Sequence, residues 1–260
     1  MVDDLLPERL RERVTGSWGR SLTVHESTAS TMDDAAAAAA EGANDGHVVL
    51  ADEQTGGRGA HGRHWLSPPG SDLYFSVVTR PAIEPTATAL VTLATGLGVR
   101  DAVAALLPGR SVLVKWPNDI WIEGRKCAGI LVESRTVGTR VESMIIGVGL
   151  NVNRTEWPPE LTGAATSLRA ERDGDEPFDR AETLATLLSH MERWVNLLVK
   201  DGPSVVVDAL RPNLALVGEQ VRWEDGEGLF DGIDQDGAAR VRTETGVVSL
   251  HSARIEPLEH

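Results

Sequence analysis

The chain has 260 residues, 41% of them hydrophobic, enough for one large domain, or a large domain with a small companion, around a sizeable core. Its 25 basic against 39 acidic residues give a net charge of −14, a field that repels a phosphate backbone and argues against nucleic acid as a partner. No apolar run approaches the roughly 18 to 20 residues that span a bilayer, the start lacks the basic-then-apolar order of a signal peptide, and the single Cys127 forms no internal disulfide, so a cytoplasmic protein without a membrane partner is expected.

In chain order, residues 21–26 (SLTVHE) read as a strand. The run ASTMDDAAAAAAEG reads as a helix with Ser30 or Thr31 as N-cap, Asp33 and Asp34 in its first turn and Gly42 near its end. HVVLADE and DLYFSVVTR, β-branched and aromatic between turn formers, are strands on either side of DEQTGGRGAHGRHW, a glycine-rich and locally basic loop over residues 52–65. Residues 86–107 have apolar side chains at helical spacing and read as a core helix. Three strands follow: SVLVKWPNDIWI, KCAGILVESR after a Glu123-Gly124 turn, and VESMIIGVGLNVN, which together suggest a largely antiparallel sheet. From Asp179, the spacing of Leu184, Leu187, Leu188, Met191, Trp194, Val195 and Leu198 predicts an amphipathic helix on that sheet, and SVVVDALRP a shorter one ending at Pro212. Beyond Gly218 the texture changes to short strands parted by Gly-Asp turns, the pattern of a small β-barrel, so the domains are expected at residues 1–212 and 213–260. The closing LEH reads as the first residues of an expression tag.

Three stretches carry chemistry. In the loop, Gly56, Gly57, Gly59 and Gly62 free the backbone N–H groups to form an anion-binding concavity, and Arg58 and Arg63 add charged forks. It is neither a P-loop nor a dinucleotide fingerprint. Lysine is scarce, with only Lys115, Lys126 and Lys200 among the basic residues, yet two of the three fall eleven residues apart on consecutive predicted strands, where a hairpin places both beside one ligand. Lys115 is followed by a Trp116-Pro117-Asn118-Asp119 turn, and Lys126 by Gly129, where a ligand can lie on bare backbone. Residues 147–153 (GVGLNVN) offer glycines that leave room for a flat group, and Asn151 as donor and acceptor.

Ser30-Thr31, QTGGRGAHGRHW, KWPND, GRKCAGILVE and GVGLNVN, in this order and at these distances, resemble the biotin protein ligases, and the C-terminal GEQVRW and FDGIDQDGAARVRTETGVVSLHSARI resemble that family's small barrel. The resemblance implies an α/β (α+β) fold: a mixed, largely antiparallel sheet like that of class II aminoacyl-tRNA synthetases, flanked by helices, plus a C-terminal barrel of the Src-homology-3 type. It implies a ligase that makes biotinyl-5′-AMP and pyrophosphate from biotin and ATP, with Mg²⁺, and passes biotin to one lysine of a biotin carboxyl carrier domain, as a monomer or homodimer. Catalysis would fall to Lys126, Arg58, Lys115 and Asp119, with Lys126 between biotin carboxylate and α-phosphate and Asp119 steering the acceptor amine. The biotin side would be made by Ser30, Thr31, Met32, Gln54, Gly57, Arg58, Gly59, Lys126, Gly129 and Gly147, and the ATP side by Arg58, Ala60, His61, Arg63, Trp65, Lys115, Asn118, Lys126 and Asn151, with no protein-bound metal. The family commonly carries a basic pair where this chain has Ala60-His61, which implies weaker retention of the adenylate; the residues before Ser21 are too few for the winged-helix DNA reader of some relatives. Two rival readings are a lipoate or octanoyl transfer enzyme of the same fold and a non-catalytic biotin-sensing module.

Overall fold

In the computed structural model, residues 5–258 are described; residues 1–4 and the Glu259-His260 end of the suggested tag lie outside them. A short helix α1 (Pro7–Arg13) leads to strand β1 (Leu22–Thr28), helix α2 (Thr31–Ala40), then β2 (His47–Gln54) and β3 (Leu73–Thr79) on either side of the glycine-rich loop. Helix α3 (Thr88–Leu106) is followed by β4 (Val112–Lys115), β5 (Asp119–Ile122), β6 (Arg125–Val137) and β7 (Arg140–Leu150). These seven strands form one sheet in the order β1-β2-β3-β7-β6-β5-β4; β1 and β2 run parallel and every other pair antiparallel.

The run read as a single strand, SVLVKWPNDIWI, is two strands that reverse at Trp116-Pro117-Asn118. Consequently Lys115 and Lys126 do not sit on consecutive strands: β5 lies between them.

After β7 come a one-turn helix α4 (Leu168–Glu171), the long α5 (Arg180–Asp201) and α6 (Pro203–Leu210). Asp179 caps α5 by accepting the Glu182 N–H at 3.1 Å, and the predicted apolar face is buried, but mainly against α3, with α1 and α6 beside it, rather than on the sheet as expected: α3 is the layer between them. Contrary to the sequence expectation, residues Pro85–Leu106 are long and apolar enough to cross a bilayer, with mean hydropathy 1.5. That apolarity is used inside the protein, since α3 packs on α5, α6 and β4 to β6, and Met191 backbone lies against Gly98 so closely that a Cβ there would collide.

The C-terminal part is a five-stranded antiparallel sheet in the order β11-β10-β9-β8-β12, made of β8 (Gln220–Trp223), β9 (Gly226–Ile233), β10 (Ala239–Thr243), β11 (Gly246–Leu250) and β12 (Glu256–Pro257). Its inward side chains Val221, Phe230, Ile233 and Val241 belong to the same buried cluster as α3 and the large sheet. Trp116 Nε1 donates to Gly237 O at 2.9 Å and Ala215 N to Val114 O at 2.9 Å, so the two sheets are tied by hydrogen bonds as well. A smaller cluster of Met32, Ala35, Val49, Val78 and Ile145 seats α2 on the large sheet.

One buried polar network supports the site. Arg180, fully buried at the start of α5, donates to Asp52 Oδ1 at 2.6 Å, and that carboxylate also accepts Gly70 N. Asp72, equally buried, accepts from Val152 N (2.9 Å), Arg154 Nε (2.8 Å) and Tyr74 Oη (3.1 Å). Arg154 also reaches Leu66 O at 3.1 Å, so the far foot of the glycine-rich loop is pinned to the end of β7. Buried charges persist only where such partners are supplied.

Candidate functional site

A cavity of about 360 Å³ opens between the glycine-rich loop, α2, the centre of the large sheet and the C-terminal strand. The loop is shaped by its own backbone: Gly59 N donates to Arg63 O (2.7 Å) and Trp65 N to Gly57 O (2.8 Å), while Thr55 N and Gly56 N tie its start to Thr28 O and Ala29 O. At its tip His61 adopts φ 58°, a left-handed conformation that non-glycine residues seldom take, directly before Gly62 at φ 70°.

Every residue expected at the site lines this cavity except two. Gly57 lies behind it, where a Cβ would meet Trp65 O at 2.5 Å and Ser67 Oγ at 2.7 Å, so its role is to let the loop close on itself. His61 faces an adjoining cleft of about 200 Å³ with Trp116, Gly237 and His251.

The polar wall on the α2 side is knit before any ligand is considered. Gln54 Oε1 accepts from Thr31 N (2.9 Å) and Thr31 Oγ1 (3.1 Å), its Nε2 donates to Ser67 Oγ (3.0 Å), and Thr31 Oγ1 meets Ser76 Oγ at 2.9 Å. Ser30 takes the N-cap position of α2, as read, but makes no side-chain cap bond. Among the described residues its buried Oγ has no hydrogen-bond partner, and neither does the buried Trp65 Nε1. Both residues line the cavity, and an unmatched buried donor costs about 1–3 kcal/mol, so two orphaned groups here fit a site built for a polar ligand.

The floor is glycine. A Cβ on Gly129 would stand 2.9 Å from the Trp65 ring, one on Gly149 would strike the indole outright, and one on Gly147 would strike Met32 Sδ. The flat group that the glycines accommodate is thus, on one side, the chain's own Trp65. Lys126 Nζ sits 5.2 Å from the centroid of that ring.

Three of the four expected cations arrive matched to carboxylates. Lys126 pairs with Asp119 at 2.6 Å, and the nearly buried Lys115 with Glu256 Oε1 at 3.0 Å. Arg58 is held at the rim by Asp33 (2.8 Å) and Glu133 (3.0 Å). Among the described residues Arg63 has no carboxylate partner; its Nε donates to Ala60 O. The side-chain amides of Asn118 and Asn151 donate to Ile130 O and Thr166 O, so their first task is to hold the cavity wall. Burial pushes the Cys127 thiol well above its ordinary pKa, and it remains a core side chain.

Sequence reading missed Arg154, Trp157, Arg254 and Glu256, all of which line the cavity. Arg154 follows GVGLNVN directly and its guanidinium lies 5.0 Å from the Trp157 ring, an Arg-to-aromatic spacing visible in the sequence. Glu256 enters from the far C-terminal strand, and no local pattern marks it.

The profile of the biotin/lipoate A/B protein ligase family matches residues 24–151, the span that contains the loop, both lysines and the end of β7. The chain is 37% identical over 252 residues to the biotin--[acetyl-CoA-carboxylase] ligase of Mycobacterium tuberculosis, covering 94% of this chain and 90% of that one. It is 34% identical over 249 residues to the bifunctional ligase/repressor BirA of Bacillus subtilis, covering 92% of this chain and 74% of that one. In three dimensions it is similar to the biotin protein ligase of Aquifex aeolicus in complex with biotin and ATP, with a TM-score of 0.79 at 26% identity, covering 92% of this chain and 100% of that one.

Proposed function

The chain belongs to the biotin protein ligases of the biotin/lipoate A/B protein ligase family, and from that premise we propose that its cavity joins biotin to ATP and passes biotin to a lysine of a biotin carboxyl carrier domain. The observation that carries this reading is the gathering of Arg58, Lys115 and Lys126 with the orphaned Ser30 Oγ around one cavity.

In the first step a biotin carboxylate oxygen attacks the α-phosphorus; the new P–O bond forms as the bond to pyrophosphate breaks, and the electron pair leaves with pyrophosphate. Two anions must approach within bonding distance, and that repulsion is the main obstacle. Lys126 and Arg58 offset it, and Lys115 and Arg63 take the phosphates. Ser30, Thr31 and Gln54 match the ureido ring, whose polar atoms need partners in a closed slot, with Met32, Gly59, Gly129 and Gly147 around it. Ala60, Trp65, Asn118 and Asn151 lie toward the nucleotide. In the second step the acceptor amine attacks the acyl carbon, a C–N bond forms and AMP leaves; Asp119 steers the amine, which must shed a proton to react. Held in line, the reactants gain effective molarities on the order of 10⁵ to 10⁸ M without covalent enzyme chemistry.

Among the described residues no group of three or more His, Cys, Asp or Glu is placed to hold a metal. The Mg²⁺ that accompanies ATP would be carried mainly by phosphates and water, the coordination this ion favours. The reading includes a cytoplasmic monomer or homodimer with neither nucleic acid nor membrane as partner, supported by the net charge of −14 and by the use of α3 as a core helix. With Ala60-His61 in place of a basic pair, biotinyl-5′-AMP leaves faster than from a ligase with arginines there; release of labelled adenylate in a chase measures it, and equal rates would contradict the idea.

Incubation with biotin, ATP, Mg²⁺ and an acceptor domain tests the function. The unmutated protein labels the acceptor lysine, and Lys126→Ala lowers labelling by about 10²-fold or more. No labelling by the unmutated protein would overturn the function; full labelling by Lys126→Ala would overturn the site.

A further inference from the structure

Lys115, Glu256 and Arg254 form a chain of charges across one wall of the cavity, with Glu256 on β12 and Arg254 two residues before it. Lys115 is 5% exposed, so its ammonium has lost most of its water and depends on Glu256 Oε1, 3.0 Å away. The same oxygen accepts from Arg254 Nε in a short contact. Burial works against the ionised form of Glu256, but Lys115 and Arg254 outweigh it and hold its pKa below the ordinary value. The strand does not hang free: Ile255, between the two, is fully buried, and β12 pairs with β8 through Glu256 opposite Arg222.

This arrangement poses a conflict under the proposed function. The lysine assigned to the phosphates is occupied by a carboxylate, and a triphosphate that takes the lysine would leave that carboxylate beside several like charges. Arg254, more than half exposed and already on Glu256, is placed to resolve it.

We propose that Glu256 and Arg254 form a partner-exchange relay that sets nucleotide affinity: Glu256 satisfies Lys115 until the triphosphate takes the lysine, and Arg254 then compensates Glu256 alone. The relay rests on the proposed function for the identity of the nucleotide, and it makes Glu256 and Arg254 positioning residues that act through Lys115. Exchange needs only side-chain rotation, since Ile255 keeps the strand anchored.

The opposing signs of two substitutions test it. Glu256→Gln keeps an acceptor for Lys115 but removes the competing charge, and should lower the KM for ATP about fivefold in biotin-dependent pyrophosphate exchange. Arg254→Gln leaves Glu256 uncompensated and should raise that KM by about the same factor. In the double variant the Arg254 defect should vanish, while the KM for biotin stays within about twofold throughout, a split that general loss of structure does not produce. Glu256→Asp, which withdraws the carboxylate by one methylene, should shift ATP affinity in the direction of Glu256→Gln by a smaller factor, and serves if Glu256→Gln does not fold. Unchanged or weakened ATP affinity in Glu256→Gln would overturn the relay, because the carboxylate would then be neutral or helpful to the nucleotide. So would an Arg254→Gln defect that persists in the double variant, because Arg254 would then bind nucleotide itself. If the unmutated chain shows no biotin-dependent exchange the functional reading falls, and the relay is still decided by calorimetric titration of the variants with ATP and Mg²⁺.

Discussion

At the scale of single residues, the site works by letting small groups set where large ones lie. Gly149 is the sharpest case: its missing Cβ is the space in which the Trp65 indole rests, and Lys126 approaches that same ring. Gly149→Ala forces the indole off its seat, and overpacking of this kind costs about 1–3 kcal/mol. Denaturant unfolding should register that loss, and turnover should fall more steeply than stability because the indole carries the loop with it. An alanine variant of unchanged stability and turnover would show that the contact constrains nothing. The glycines, Arg58 and the two site lysines were legible in the sequence, the lysines because so few others exist to distract from them. The roles of Gly57 as loop closure and of Asn118 and Asn151 as wall fasteners were not, because each depends on which backbone carbonyl the fold brings near.

At the scale of elements, α2, α5 and the β6–β7 pair follow from capping, periodicity and turn chemistry, whereas β4 and β5 were merged because the run through them is β-prone on both sides of the turn. Helix α3 illustrates the limit of composition: a membrane span and a helix enclosed by a sheet and two helices both need apolar faces all round. The start of β2 carries a pH dependence. His47 is 8% exposed and bonded to Ser21 Oγ (2.8 Å) and Thr23 Oγ1 (3.3 Å), and burial lowers its pKa from 6.5. The unfolded chain therefore binds this proton at higher pH than the folded one, so the stability tied to neutral His47 is whole above 6.5 and is lost as pH falls from there toward the lowered value. Between about pH 7 and about pH 5.5 the urea midpoint should drop, and His47→Gln should flatten that part of the profile. An unaltered slope in the variant would assign the acid sensitivity to other groups.

At the scale of the whole molecule, the C-terminal sheet is built into the site. Its core is continuous with that of the large sheet, it hydrogen-bonds Trp116, and it delivers Arg254 and Glu256 to the cavity. The change of texture after Gly218 marked the sheet but not this attachment, since the contacts join positions more than a hundred residues apart and leave no periodic trace. The proposed reading thereby accounts for an acidic chain that handles anionic substrates: the net charge is negative, while Arg58, Lys115 and Lys126 each lie beside a carboxylate that, on that reading, a substrate anion replaces. That claim is tested most directly by biotin-dependent exchange of labelled pyrophosphate into ATP, which isolates the first step from the acceptor. The account predicts exchange in the unmutated protein only when biotin is present, and its loss in Lys126→Ala and in Lys115→Ala with thermal stability largely kept. Exchange that ignores biotin, or that survives removal of both lysines, would contradict it.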